Sequence, residues 1–250
     1  MLLLLLAGCP PTDKPEGDDT GSPGDDAPDG DLVVTGGDEF GAVESVIWTA
    51  GGHVGELWLM EDGELVSAGE AVMSTQVSWY TTRLDCEDVR ESWADFGEAS
   101  AAYLSLATDR AAACEAFGDF LAETNSHEVG NQAWLRWCED DLCLAPPSAG
   151  VHPVGDGASL EAAIRYDTDE APPQDAWDPD ACAFDADWPR DYVRRYLTGE
   201  ADFTTATAAR VAGTLEGDLL DDAGEPAGTV AADFDVARCE LPDVGVAVVY

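Results

Sequence analysis

Basic side chains are scarce in this chain, and lysine is almost absent. The 250 residues include 52 acidic side chains but only 11 basic ones, which gives a formal net charge of −41. Lys14 is the only lysine, and the other basic residues are arginines. A surface of this sign repels the phosphates of nucleic acids and the headgroups of anionic lipids. The composition therefore argues against nucleic acid as a partner and against direct electrostatic binding to a membrane surface.

The sequence also lacks the short motifs of several large enzyme classes. It contains no GxSxG, HExxH, P-loop or GxGxxG pattern. Acidic pairs are so numerous that sequence alone cannot select the two carboxylates that a glycosidase holds across its cleft. A non-catalytic role is therefore favoured, and a secreted carboxylate-dependent hydrolase is the alternative.

The first nine residues carry a short apolar run. Residues 2–6 are all leucine, whereas a membrane-spanning helix needs about 20 apolar residues, so the run indicates the end of a secretory signal. Leu6-Ala7-Gly8-Cys9 resembles the lipobox of bacterial lipoproteins, although no basic residue precedes the leucines. The resemblance implies a signal peptide over 1–8 and a membrane anchor through lipid on Cys9. The alternative is a free thiol behind a chance leucine tract.

An acidic segment rich in proline and glycine follows Cys9. Residues 10–31 hold eight acidic residues, five prolines and four glycines. Such a composition cannot bury enough apolar surface to offset the entropy of ordering. We expect a lipidated cysteine and a disordered linker over 9–31, then a single domain over 32–250. The aspartate signal for inner-membrane retention does not follow Cys9, so the resemblance favours an outer-membrane location for this exported chain.

Six further cysteines form an even set. In an exported chain an even number predicts disulfides, here three. Cys138 and Cys143 are close enough in sequence to pair across a short turn, and Cys86–Cys114 and Cys182–Cys239 are hypotheses for the rest. A zinc site is disfavoured because the sequence has neither a CxxC pair nor a nearby histidine. The six are Cys86, Cys114, Cys138, Cys143, Cys182 and Cys239.

Two groups of short apolar runs predict strands. The first covers 42–50, 56–60, 64–67 and 72–82, with a hairpin turn at Glu61-Asp62-Gly63. The second follows a loop-rich stretch over 145–157. Its last strand should alternate, with Val230, Ala232, Phe234 and Val236 facing inward. This second group covers 160–166, 192–197, 203–207, 211–220 and 228–238, with a turn over 221–225.

A helical insertion over about 85–125 separates the two groups. Asp85 can cap a helix whose apolar positions are Val89, Trp93 and Phe96. Gly97 is expected to end that helix, and a second amphipathic helix should run over 98–124. The predicted fold is mainly β, an antiparallel sandwich or barrel with this insertion, and α+β overall with disulfides as staples.

The region Arg210–Cys239 is similar to the closing hairpin of uncharacterised β-rich lipoproteins common in myxobacteria. Those proteins carry a lipobox, an acidic linker and a glycine-containing hairpin that ends in cysteine. The resemblance implies a β-rich domain and no particular activity. The matching positions are Gly213, Leu215, Gly224, Gly228, Phe234 and Cys239.

One acidic loop is a calcium candidate. Asp178, Asp180, Asp185 and Asp187 lie in a proline-containing stretch, and calcium binds several carboxylate oxygens on a bent loop. The spacing matches no known calcium loop. A solvated acidic loop tied down at Cys182 is therefore the favoured interpretation, and no other cofactor is predicted.

Eight tryptophans raise the question of a glycan-binding face. Trp134, Trp137, Trp177 and Trp188 lie in the cysteine-rich middle of the chain. Exposed tryptophans stack on sugars, but packing in the core is the simpler prediction. We therefore predict a lipid-anchored envelope or surface protein with a binding or structural role, whose protein or glycan partner the sequence does not identify.

Overall fold

The computed structural model describes eleven stretches of the chain. The N-terminal 28 residues and several connecting segments lie outside it. The described residues are 29–36, 39–61, 64–72, 75–106, 130–137, 147–155, 157–167, 177–178, 183–184, 192–221 and 223–249.

Strands dominate these residues, with one helix, Cys86–Leu106 (α1). The predicted mainly β fold with a helical insertion is confirmed. The strands are Gly30–Thr35 (β1), Ser45–Gly51 (β2), His53–Glu61 (β3), Glu64–Val72 (β4), Thr75–Tyr80 (β5), Gln132–Trp137 (β6), Gly150–Val154 (β7), Leu160–Asp167 (β8), Trp177–Asp178 (β9), Ala183–Phe184 (β10), Tyr192–Ala206 (β11), Arg210–Leu220 (β12), Pro226–Leu241 (β13) and Val244–Val249 (β14).

Nine strands form one sheet that closes on itself as a barrel. Its order is β1-β13-β12-β11-β7-β8-β6-β5-β2, and β13 also pairs with β2. This closing pair is parallel and joins Arg238–Leu241 to Trp48–Gly51. Seven strands therefore complete the ring: β2, β5, β6, β8, β11, β12 and β13. All pairs around the ring are antiparallel except the closing one.

Two long strands each serve two partners along one edge. β11 pairs with β8 through 192–196 and with β7 through 199–203. β13 likewise pairs with β1 through 229–234 and then with β2. The prediction of separate strands over 192–197 and 203–207 is wrong, because the ladder to β12 runs from Leu197 to Ala206 with one irregularity.

Alternating side chains fill the barrel, as predicted for its last strand. Val230, Ala232, Phe234 and Val236 are buried, while the residues between them are exposed. Aromatic rings form the centre of this core. Phe203 lies 5.5 Å from both Trp137 and Phe234, and Phe234 lies 5.9 Å from Trp79 between ring centroids. Edge-to-face contacts of this kind add to the stabilisation from apolar burial.

A second sheet and α1 form a smaller core against the outside of the barrel. The sheet has the order β14-β3-β4, and α1 packs on β14 and β13. Val89 and Trp93 of the helix pack there with Leu57, Leu241 and Val244. The amphipathic pattern thus correctly predicted the buried face of the helix.

One disulfide joins the helix to the barrel, and it differs from both predicted pairs that involve its cysteines. Cys86, the first residue of α1, is bonded to Cys239 of β13, with a Cα–Cα distance of 5.5 Å. The predictions Cys86–Cys114 and Cys182–Cys239 are therefore wrong. The reason is topological, since β13 passes the start of α1 although 153 residues separate the two cysteines. Cys114, Cys138, Cys143 and Cys182 lie outside the described residues.

The helix begins where its sequence predicts but does not end there. Asp85 Oδ1 accepts hydrogen bonds from the N–H groups of Glu87 (2.8 Å) and Asp88 (3.0 Å), which confirms the cap. The predicted end at Gly97 is wrong, because α1 continues to Leu106. A Cβ at Gly97 would lie 2.7 Å from Val244 Cγ1, so glycine here allows the helix to approach β14. The predicted helical residues 107–124 lie outside the description.

Sequence reasoning missed six strands: β1, β6, β7, β14 and the two-residue strands β9 and β10. β6 is buried at five of its six positions, so it lacks the alternation that marks a half-exposed strand. β7 lies inside the predicted loop over 145–157, and β14 follows the last predicted strand. The predicted hairpin between β3 and β4 is confirmed by their antiparallel pairing, although Asp62 and Gly63 lie outside the described residues.

The predicted turn between β12 and β13 is built around one carboxylate. Asp221 Oδ1 accepts hydrogen bonds from the N–H groups of Glu225 (2.9 Å) and Ala223 (2.8 Å), and Gly224 adopts φ 80°. These two bonds, with attraction from Arg195, hold the pKa of Asp221 below its ordinary value of 3.8.

We expect the stability of this hairpin to depend on pH through Asp221. The folded pKa lies below the unfolded one, so the charged carboxylate stabilises the fold above about pH 3.8. That contribution should be lost as pH falls through the lower, folded pKa. The free energies of unfolding of wild type and Asp221→Ala, measured in urea from pH 2 to pH 7, should therefore become equal at the acid end of this range. Asp221→Asn, which keeps one acceptor oxygen, should fall between them, and a constant difference at all pH values would contradict the assignment.

Candidate functional site

The outward side chains of three neighbouring strands line an open groove on the barrel. The groove has a volume of about 730 Å³ and lies across β11, β12 and β13, with Val151 of β7 at its side. Strand alternation places these side chains opposite the buried core residues. The side chains that line it include Thr198, Glu200, Asp202, Thr214, Glu216, Asp218 and Thr229.

The strand register makes this groove acidic. Glu200 lies directly opposite Glu216, and Asp218 lies between Thr198 and Thr229 on its two neighbouring strands. Like charges at opposed positions repel one another and oppose sheet pairing. Among the described residues that line the groove there is no arginine or lysine. The groove therefore disfavours anionic ligands and suits neutral or cationic groups.

The groove carboxylates are poorly placed for acid–base catalysis. Glu200, Asp202, Glu216 and Asp218 all have exposed side chains. A carboxyl group that acts as a general acid near neutral pH is usually desolvated, because burial raises its pKa. Across the part of the chain that is described, no group of three histidine, cysteine or acidic residues is arranged to hold a metal ion.

An exposed ion pair lies near the end of the same strands. Arg210 Nε donates a 2.6 Å hydrogen bond to Asp235 Oδ1. This bond and the attraction between the charges lower the pKa of Asp235 and raise that of Arg210. Because both side chains are more than half exposed, the pair is screened by solvent and contributes little to stability.

The predicted calcium candidates are only partly within the described residues. Asp178 lies in β9, opposite Ala183 of β10 in a two-stranded ladder. Asp180, Asp185 and Asp187 lie outside the described residues, so the calcium hypothesis stays a prediction. The lipobox and Cys9 also lie outside them.

Two of the four tryptophans considered for glycan binding are buried. Trp134 is 7% exposed and Trp137 is 1% exposed. The Trp137 ring lies 6.4 Å from that of Trp48, and the Arg194 guanidinium carbon lies 5.5 Å from the Trp134 ring centroid. The prediction of burial is therefore correct for both, with Trp137 in the barrel core and Trp134 beside Arg194 on the outer face. The side chains of Trp177 and Trp188 are not among those described.

A group of arginines on the outer face of the barrel was missed by sequence reasoning. Arg165 of β8 lies opposite Arg194 of β11, and Arg136 of β6 forms an ion pair with Glu161 of β8. Arg165 is only 8% exposed. These arginines are far apart in sequence, and only the β6-β8-β11 register brings them to one face. No local signal could have predicted the group.

Comparisons with known proteins give no assignment. Protein-family models, curated protein sequences and solved structures were each searched, and none matches this chain. Within the described ranges, no helix combines the length and apolar character that crossing a membrane requires.

Proposed function

We propose that this chain is an exported lipoprotein that displays a non-catalytic barrel domain at the bacterial envelope. The observation that carries the proposal is the lipobox Leu6-Ala7-Gly8-Cys9, followed by the acidic linker. The lipid on Cys9 would anchor the chain in the membrane. The barrel would bind a protein, a glycan or a small ligand. The sorting residues favour the outer membrane.

The Cys86–Cys239 disulfide supports an exported location. Disulfides persist in oxidising compartments and are rare in the cytosol of mesophiles. This bond joins α1 to the barrel beside the smaller core. A chain made for the cytosol would gain little from such a bond.

The linker length suits an anchored domain of high negative charge. Residues 10–29 precede β1 and could span at most roughly 70 Å when fully extended. The acidic side chains of this predicted linker carry like charges, which repel one another. The barrel could then remain clear of anionic headgroups, which would repel it at a net charge of −41.

Two alternatives receive less support from the described residues. A carboxylate-dependent hydrolase would need a desolvated acid, whereas the groove carboxylates are exposed. A glycan-binding face built from Trp134 and Trp137 is disfavoured because both side chains are buried. We therefore favour a binding or structural role for the barrel over a catalytic one.

The anchor is tested by Cys9→Ser. We expect wild type to sediment with membranes and to incorporate labelled palmitate, because the cysteine sulfur carries the lipid. Cys9→Ser should move to the soluble fraction and lose the label. Pro11→Ser, which leaves the lipobox intact, is the matched control and should behave as wild type.

Membrane fractionation would also show whether the protein is anchored in the inner or the outer membrane. Separation of inner and outer membranes on a sucrose gradient should place wild type with the outer membrane. A Cys9→Ser protein that still sediments with membranes would show that the lipoprotein proposal is wrong. Retention of palmitate by that variant would do the same.

A further inference from the structure

Two hydrogen-bond donors are buried without an acceptor at the seam that closes the barrel. They are the indole Nε1 of Trp48 and the Nε of Arg238, neither of which has a partner among the described residues. Trp48 is 0% exposed, and the Arg238 side chain is 22% exposed. A donor that is buried without an acceptor has lost its hydrogen bonds to water and destabilises the fold, so two of them together need an explanation.

The parallel register places these two residues side by side. Arg238 of β13 pairs directly with Trp48 of β2. Trp48 belongs to the barrel core, and Arg238 continues the inward series of Phe234 and Val236 along β13. Residues paired in this way direct their side chains to the same face of the sheet. The two donors therefore belong to one end of the barrel interior.

The surroundings of this pair are mainly aromatic. The Trp48 ring lies 6.4 Å from Trp137, which is followed by Phe203 and His152 in a chain of ring contacts. Arg238 brings a positive charge into these surroundings. Its Nη2 lies 3.7 Å from a carboxylate oxygen of Glu240, whose side chain is 76% exposed. That contact leaves the Nε–H of Arg238 without an acceptor.

We propose that this end of the barrel binds a small carboxylate, through the Trp48 indole N–H and the Arg238 guanidinium. A carboxylate accepts hydrogen bonds from both donors and also compensates the arginine charge. A neutral acceptor satisfies the donors but leaves the charge uncompensated. Barrel mouths lined by aromatic rings with a few polar groups are common ligand sites. The proposal does not depend on the lipid anchor.

Trp79 provides an internal control for the Trp48 indole. Its Nε1 donates a 3.1 Å hydrogen bond to the Asp233 carbonyl oxygen, so it already has an acceptor. Both rings are fully buried in the same core. A carboxylate ligand should therefore change the indole N–H signal of Trp48 and leave that of Trp79 almost unchanged.

Nuclear magnetic resonance of the ¹⁵N-labelled full-length chain tests the site with acetate as the probe. Signals are assigned with Trp48→Phe and Trp79→Phe, and acetate replaces chloride at constant ionic strength. We expect the Trp48 indole proton to shift downfield and to saturate, with little shift at Trp79. Arg238→Gln should weaken the apparent acetate affinity at least tenfold, and Arg238→Lys should weaken it less because the charge remains.

Other outcomes would overturn the proposal. If the chemical shift of the Trp48 indole proton changes linearly with acetate concentration, without saturation, no specific site exists. An equal change at the Trp79 indole would lead to the same conclusion. A cross-peak from the Trp48 indole to water that acetate does not displace would assign the position to a water molecule. The wild-type titration decides this even if both Arg238 variants fail to fold.

Discussion

Removal of the Cys86–Cys239 disulfide is expected to lower the free energy of unfolding by roughly 3–5 kcal/mol. The bond links residues 153 positions apart, so it restricts the unfolded chain strongly. It also joins the start of α1 to β13, where Cys239 is 2% exposed in the smaller core. The test variant carries Cys86→Ser, because Cys86 is exposed, and Cys239→Ala, because Cys239 is buried. Equilibrium unfolding in guanidinium measures it.

Reductant provides the control for this double substitution. Cys86 and Cys239 can form no bond in reduced wild type, so wild type and the variant should then have similar stabilities. A difference between them that persists undiminished in reductant would attribute the loss to the substituted side chains. In that case the disulfide would contribute little, and the prediction would fail.

Phe234→Ala is expected to cost about 3–5 kcal/mol of unfolding free energy. Phe234 is 2% exposed and contacts both Phe203 and Trp79 at the centre of the barrel core. Its ring also covers the opposed Gly213, where an added Cβ would lie 3.0 Å from Phe234 Cζ. Truncation therefore leaves a cavity at the centre of the core. Thermal and urea unfolding would both report the loss.

Two neighbouring substitutions make this result specific. Phe234→Leu should cost less, because it keeps much of the apolar volume. Thr229→Ala, at an outward position of the same strand, should change stability by no more than about 0.5 kcal/mol. A loss below about 1 kcal/mol for Phe234→Ala would mean that this ring is not central to the core.

Local signals predicted several elements correctly because each depends on residues close in sequence. The cap at Asp85 needs only the N–H groups of the next few residues. The turn at Asp221 likewise depends on hydrogen bonds within five residues. The alternation in β13 reflects one buried and one exposed face, which the order of side chains reveals directly.

Other predictions failed where distant contacts decide the local structure. Gly97 reads as a helix breaker, but contact with Val244 of β14 makes glycine the fitting residue within a continuous helix. β6 has no alternation because both of its faces are buried. The cysteine pairing also depends on topology, since β13 brings Cys239 to Cys86 from 153 positions away.

The two candidate sites also depend on contacts between residues that are distant in sequence. The carboxylates of the groove are conspicuous in sequence only as part of a large acidic excess, and the strand register alone aligns Glu200 with Glu216. Trp48 and Arg238 are 190 residues apart, and the parallel closure of the barrel makes them neighbours. Neither juxtaposition has a local signal in the sequence.

The sequence by itself determined the strand-rich character of this protein, its acidic surface, and the pattern that points to export and lipid attachment. These properties depend on composition, short-range periodicity and a motif of four residues. Only the tertiary structure decided the barrel closure, the disulfide partner and the position of Arg238 beside Trp48. The physical reason is that strand pairing satisfies backbone hydrogen bonds between distant segments, and many registers are compatible with the same alternating pattern.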